Sequence, residues 1–346
     1  MRTQLKDLLE VVATGTTLSS AEAEAAMHDI MRGESPPEVV AGFLMGLRSR
    51  GETLDELVGF TSVMRQYATP VSLNDPDAID LCGTGGDKSG TFNISTAAAF
   101  VVAGAGVTVA KHGNRSVSSR SGSSDVLSAL DVRTNLGADA VEACLDEAGI
   151  AFIFAPLFHT ALQHVMPVRR ALGVRTFFNI LGPLCNPAGV RRQLVGAFSL
   201  DMAELMCQIL HRLGSDKVVC VHSDDGLDEF SLASESTFHS FDRLAGTEPT
   251  RTTVRPEDLG FRRASMADVR GGDADDNAAI IRSILSGNRG PSRDIVVLNA
   301  SYALVASGRY STPADGRAAA EESIDSGSAA AALERLIHVS GRFASD

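Results

Sequence analysis

The stretch that decides the fold is AIDLCGTGGDKSGTFNISTAAAFVVAG, residues 78–104. Residues 78–84 read as a short apolar strand ending in glycines. Residues 97–104 are almost wholly apolar and read as a buried helix. Between them lie Gly83, Gly85, Gly86 and Gly90, then Ser95 and Thr96. Glycines let a backbone curl tightly and approach a ligand. The start of a helix offers unpaired N–H groups and a positive dipole end. The segment is either an anion site or a tight turn with a polar cap. It contains neither G-x-G-x-x-G nor Gly-Lys-Ser/Thr, so the dinucleotide and Walker nucleoside-triphosphate readings fall away.

Outward from this unit the same pattern repeats. VTVAKHG (107–113), AFIFAP (151–156), QLVGAFS (193–199) and KVVCVHS (217–223) read as strands. Helical segments near 138–148, 157–172 and 201–213 separate them. Alternating short apolar strands and helices indicate an α/β fold with a mainly parallel sheet. Residues 1 to about 70 read as about four short helices. Leu54, Leu57, Val58, Thr61 and Met64 lie at helical spacing behind a Thr53/Glu56 capping box. SPPEVVAGFLMGLRSRG (35–51) places Ser35 as N-cap, prolines in the first turn and Gly51 after the last. After about 275 the chain is again helix-rich, ending in SAAAALERL.

The chain has 346 residues, 31 Lys plus Arg against 43 Asp plus Glu, and a net charge of −12. With 44% apolar and 21% charged residues it excludes disorder, collagen and coiled coil. The negative charge opposes any whole-surface attraction to nucleic acid or acidic lipid. A polyanion must therefore be captured by a local basic site. Cys82, Cys144, Cys185, Cys207 and Cys220 form no C-x-x-C pair, which excludes a zinc ribbon and fits reduced thiols in the cytoplasm. No stretch approaches the roughly 18 apolar residues of a membrane span. MRTQLKDLLEVV lacks the apolar run of a signal peptide.

Three further segments carry chemistry. KHGNRSVSSRSGSSD (111–125) packs four potential cations and a run of serines between a strand and a helix. Such donors suit phosphate oxygens, although a solvated basic loop has the same composition. In parallel sheets strand-to-helix turns gather along one edge, where ligands bind. Two such turns suit a ligand with well-separated phosphates. SDDGLDE (223–229) places four carboxylates after another strand, which suits Mg²⁺ shared with phosphates, or a plain acidic turn. Arg169 and Arg170 are neighbours and cannot both face the same side of a helix. His159 and His164 are five apart, a poor spacing for two ligands on one helix face.

GTGGDKSGTFNISTAAAF, KHGNRSVSSRSGSSDVLSAL, FAPLFHTALQHVMPVRRALGVRTFFNILGPLCNPAG and DDGLDEFSL together resemble the anthranilate phosphoribosyltransferases of tryptophan biosynthesis. The likeness runs from the N-terminal helices to about residue 335. It implies a small all-helical N-terminal domain (1–72, with part of about 163–188 returning to it). A larger α/β phosphoribosyl-pyrophosphate-binding domain (73–346) would follow, and the chain would form a homodimer in the cytoplasm. It implies transfer of the phosphoribosyl group of 5-phosphoribosyl 1-pyrophosphate to the amine of anthranilate, with Mg²⁺. Gly83, Gly86, Asp87, Thr91, Asn93, Ile94, Ser95 and Thr96 would bind the donor from the first turn. Lys111, His112, Gly113, Asn114, Arg115, Ser116, Val117, Ser118, Ser119 and Ser123 would bind it from the second. Gly83, Asn114 and Arg169 would contact anthranilate, and Ser95, Asp228 and Glu229 would hold the metal. Anthranilate's arylamine is neutral at pH 7, so no catalytic base is expected. Two residues depart from the pattern: Thr160 stands where proline is usual, and Asp131 where glycine often ends a helix. A pyrimidine-type nucleoside phosphorylase shares the fold and the glycine loop, but VRRALGVRT and DDGLDE favour the transferase. A nucleic-acid-binding relative is disfavoured by the charge.

Overall fold

The computed structural model describes residues 4–86, 89–115 and 121–343. Four helices open the chain: α1 (Leu5–Ala13), α2 (Ser20–Arg32), α3 (Pro37–Arg50) and α4 (Leu54–Gln66). Capping boxes set two of the starts, Ser19 with Glu22 before α2 and Thr53 with Glu56 before α4. The fully buried Glu56 of α4 also accepts the Leu18 N–H and the Arg50 guanidinium, so one carboxylate ties α3 and the connection before α2 to α4. The N-cap of α3 is Pro36, not Ser35. A residue before proline is held out of the α region, so the helix begins at Pro37.

The sheet has seven strands: β1 (Ile79–Gly83), β2 (Val109–Gly113), β3 (Ile150–Phe154), β4 (Arg192–Gly196), β5 (Lys217–Ser223), β6 (Ser236–Asp242) and β7 (Thr250–Val254). Their spatial order is β3-β2-β1-β4-β5-β6-β7, with the run from β3 to β5 parallel and β6 and β7 antiparallel. The chain builds outward from β1 to β3, then returns to place β4 on the other side of β1. That reversal makes a crevice at the carboxyl ends of β1 and β4, where open α/β sheets hold ligands.

Two elements differ from the sequence reading. Segment 157–172 is not one helix. It breaks into Ala155–Phe158, a 3-10 turn over Thr160–His164, and Met166–Leu172, because Pro156 and Pro167 each suit only a helix's first turn. The helix expected from Ala97 begins at Ile94, so Ser95 and Thr96 lie inside the first turn of α5 (Ile94–Gly104). α6 (Ser123–Ala129) takes Gly122 as its N-cap, so Ser123 and Ser124 are its first residues.

One apolar cluster surrounds α5 beneath the sheet, with helices Pro291–Ala306 and Ser328–Gly341 packed on it. The other joins α1–α4 to Val165, Val168, Phe177, Phe178, Leu181 and helix Leu200–Arg212. Phe177 stacks on Phe60 of α4 (4.3 Å between centroids), bringing the segment after Arg169 against the helical layer.

Candidate active site

Gly83 and Gly196 end β1 and β4 and are partners in the sheet register. A methyl group on Gly196 would collide with the Asp228 carbonyl oxygen, and one on Gly83 would lie 3.0 Å from Asp228 Oδ2. The two glycines therefore leave the slot in which Asp228 sits. Gly85 and Gly86 take left-handed φ values of 61° and 77°, which curls the loop back over that slot. The Gly85 N–H donates to Asp228 Oδ2 (3.1 Å). From the same acidic turn, Glu229 Oε1 accepts the Ser95 N–H in the first turn of α5 (2.9 Å). The turn after β5 thus closes on the loop after β1, joining residues 143 positions apart in sequence.

Lys111 on β2 lies under this junction. Its Nζ donates to Leu81 O (2.5 Å) and to Ser95 Oγ (3.3 Å). Burial lowers its pKa, and Asp80, Cys82, Glu229 and Asp228 work against that shift. Asp80 is fully buried and accepts the His112 N–H (3.0 Å) and Asn186 Nδ2 (2.9 Å). Burial pushes its carboxyl up to about 6. His112 packs 5.2 Å from His159, centroid to centroid. Burial pushes the His112 imidazole down to about 3, with His159 adding to the shift, and burial pushes His159 down to about 4. Both rings are therefore neutral at pH 7, and both Nε2 atoms are buried without a hydrogen-bond partner.

The second turn leaves β2 at Gly113, where a methyl group would meet Ser123 Oγ at 2.5 Å and Phe152 at 2.6 Å. Ser123 Oγ donates to the Asn114 carbonyl (3.1 Å). The Arg115 guanidinium lies over the Phe154 ring at 5.6 Å. Asn93 bridges the two turns: its Nδ2 donates to Ser121 O (3.2 Å). Thr91 pairs in a short antiparallel bridge with Arg270. Ile94 is buried in the core and its N–H donates to Phe92 O (2.8 Å). The Thr96 hydroxyl is buried without a partner.

The structure thus brings Gly83, Gly86, Thr91, Asn93, Ser95, Lys111, Asp228 and Glu229 to one edge of the sheet. Asp87, Ser116, Val117, Ser118 and Ser119 lie outside the described residues. Arg169 sits on Met166–Leu172, half-buried, with its guanidinium 5.1 Å over the Phe178 ring, while Arg170 is exposed. Burial lowers the Arg169 pKa. Among the described residues it forms no ion pair and no hydrogen bond to Gly83 or Asn114. The same segment does reach the glycine loop through Arg175, whose Nη2 lies 3.5 Å from Gly86 O and whose guanidinium covers Phe198.

Gly196 and Asp80 belong to this site and were not singled out by the sequence; His159 was weighed there only as a poor ligand candidate, and it lies buried against His112. Gly196 matters only because Asp228 packs on it, and no local pattern announces that contact. Among the described residues no group of three His, Cys, Asp or Glu side chains could hold a metal alone. Two carboxylates and the Ser95 hydroxyl are hard oxygen donors, the partial set that suits Mg²⁺ when phosphate oxygens and water complete the shell.

Two family models match the chain: the glycosyl transferase family helical bundle domain over residues 6–68, and its a/b domain over residues 75–330. The anthranilate phosphoribosyltransferase of Salinibacter ruber is 56% identical over 338 residues, covering 97% of this chain and 98% of the relative. The crystal structure of anthranilate phosphoribosyltransferase from Thermus thermophilus superposes with a TM-score of 0.90 at 39% identity, over 97% of this chain and 99% of that one. The Saccharomyces cerevisiae anthranilate phosphoribosyltransferase in complex with PRPP and Mg gives 0.88 at 26% identity, over 98% of each chain. With both domain models in order and likeness over nearly its whole length, the chain belongs to the anthranilate phosphoribosyltransferase family.

Proposed function

We infer that this chain transfers the phosphoribosyl group of 5-phosphoribosyl 1-pyrophosphate to the amine of anthranilate, giving N-(5-phosphoribosyl)anthranilate and pyrophosphate. The reaction belongs to tryptophan biosynthesis. The observation that carries the reading is the meeting of the Asp228/Glu229 turn with the glycine loop and the first turn of α5, over Lys111. A diphosphate there faces backbone N–H groups, a helix N-terminus, a lysine and a metal-binding pair at once.

Asp228, Glu229 and Ser95 would hold Mg²⁺, which would supply positive charge to offset that developing on the leaving pyrophosphate. Lys111 holds the Ser95 hydroxyl from below through its Nζ, and the α5 N-terminus adds its dipole. The second turn, from Asn114 to Ser123, holds the other part of the donor. Arg169 pairs with the anthranilate carboxylate and turns the amine toward the ribose C1. His112 and His159 stay neutral and add no competing charge. The amine nitrogen forms its bond to C1 as the C1–oxygen bond to pyrophosphate breaks, and the arylammonium proton then leaves to water. Positioning the two substrates supplies the remainder of the rate.

The chain works as a homodimer in the cytoplasm. Met45 on α3, the exposed large apolar side chain of α1–α4, supports a contact through the helical layer. Five buried, unpaired cysteines support a reducing compartment. The test of the reaction is loss of anthranilate fluorescence on adding the donor. Turnover is expected with Mg²⁺ and a drop of at least about 10²-fold with a chelator. Thymidine phosphorolysis, or turnover indifferent to the chelator, contradicts the reading.

A further inference from the structure

The segment GGDADDN, residues 271–277, falls in none of the sequence motifs read as chemistry. In the fold it lies against the glycine loop. The Gly271 N–H donates to Gly90 O (2.9 Å), and the Phe92 N–H donates to Val269 O (3.4 Å). A methyl group on Gly271 would meet the Phe92 nitrogen and Asn277 Oδ1 at 2.6 Å, so the two backbones approach as closely as glycine allows.

Asn277 supports this contact from inside the protein. It is only 2% exposed and lies near the start of helix Ala274–Leu285. Its Oδ1 accepts the Gly272 N–H (2.8 Å) and its Nδ2 donates to Asn93 Oδ1 (3.0 Å). Asn93 Nδ2 in turn donates to Ser121 O (3.2 Å). Both ends of this chain are backbone groups of fixed polarity. Gly272 N–H can only donate, and Ser121 C=O can only accept. The orientation of both amides therefore follows from the ends. Asn93 does not cap α5 with its side chain, which leaves that side chain to this relay.

We propose that Asn277 is a positioning residue that, through Asn93, sets the spacing of the two phosphate-holding turns. This rests on the donor-binding role given above to those turns. If Asn277 only closed its own turn, its Gly272 bond would suffice and its outward N–H would have no consequence for substrate. If it sets the spacing, losing that N–H loosens the grip on the doubly phosphorylated donor and spares anthranilate.

The test is steady-state kinetics on the full-length protein. Asn277→Ala is expected to raise the donor KM about tenfold, the cost of one buried hydrogen bond, with the anthranilate KM within about twofold. Asn277→Asp keeps the size and the acceptor for Gly272 but has no outward N–H. It keeps the Gly272 bond and moves the donor KM the same way. In an Asn93→Ala background, Asn277→Ala is expected to add less than about twofold, because the relay is already cut. An unchanged donor KM, equal rises in both KM values, or multiplicative effects of the two substitutions overturn the proposal. Donor-induced change in melting temperature separates the two readings. A wild type that neither turns over nor shifts with donor overturns the transferase reading as well. An active wild type with unmoved Asn277 variants overturns this one alone.

Discussion

Arg169 is a guanidinium over an aromatic ring with no carboxylate beside it among the described residues. A half-buried guanidinium without a carboxylate partner can take an anion, and the anthranilate carboxylate has the forked shape it matches. Arg169→Ala is expected to raise the anthranilate KM by about 10- to 100-fold and to leave the donor KM within about threefold. Equal changes in both KM values contradict the role. The sequence supplied the cation but not its surroundings. At Asp131 a single residue was more legible: it stands where glycine often ends a helix, and it takes a φ of 69°, the left-handed value glycine favours. Among the described residues it is the one non-glycine side chain with positive φ. Its carboxylate pairs with Arg282 (2.9 Å), an exposed contact that holds the side chain without offsetting much strain.

At the scale of elements, the site depends on how β1 and β4 end. Their final glycines lie side by side so that the turn after β5 can fold across them. Gly196→Ala is expected to push the Asp228 backbone aside and lower kcat/KM for the donor by about 10²-fold in the presence of Mg²⁺. Gly137→Ala, where an added methyl meets nothing within 4 Å and φ is −75°, is the control and leaves the rate unchanged. Wild-type kinetics in Gly196→Ala contradict the packing argument. The parallel strands were readable because each is a short apolar run between helices. β6 and β7 were not: STFHSFD and TRTTV mix polar and apolar residues, and β7 is an exposed edge strand that needs no apolar run. The break at 157–172 was readable in principle from Pro156 and Pro167, but the apolar periodicity around them resembles one helix.

At the scale of the whole molecule, an acidic chain keeps its useful cations in one crevice and holds several ionisable groups away from water. Three of these contribute to its acid stability. His112 and His159 have folded pKa values near 3 and 4, below the ordinary 6.5, so unfolding takes up two protons between about pH 4.5 and 6. Asp80, with a folded value of about 6 against an ordinary 3.8, is protonated in the native state through most of that range and half so at its upper end, and unfolding releases up to one. The unfolded state therefore binds one more proton in total. Stability contributed by these groups falls as pH drops, by about 1.4 kcal/mol per pH unit. Chemical denaturation across pH 4.5–6 checks the sign, and His159→Gln is expected to flatten the slope. A wild type that gains stability on acidification contradicts it. None of this was legible in the sequence, because burial of two histidines and an aspartate is a property of the packed sheet.

The central claim is that the loops after β1, β2 and β5 form one cradle for a doubly phosphorylated sugar. The most direct measurement is a crystal structure of this protein with 5-phosphoribosyl 1-pyrophosphate and Mg²⁺. The account predicts the pyrophosphate against Gly85 and the first turn of α5, with the metal on Asp228 and Glu229. Ordered donor bound away from both turns, with Asp228 and Glu229 bearing no metal, would contradict it.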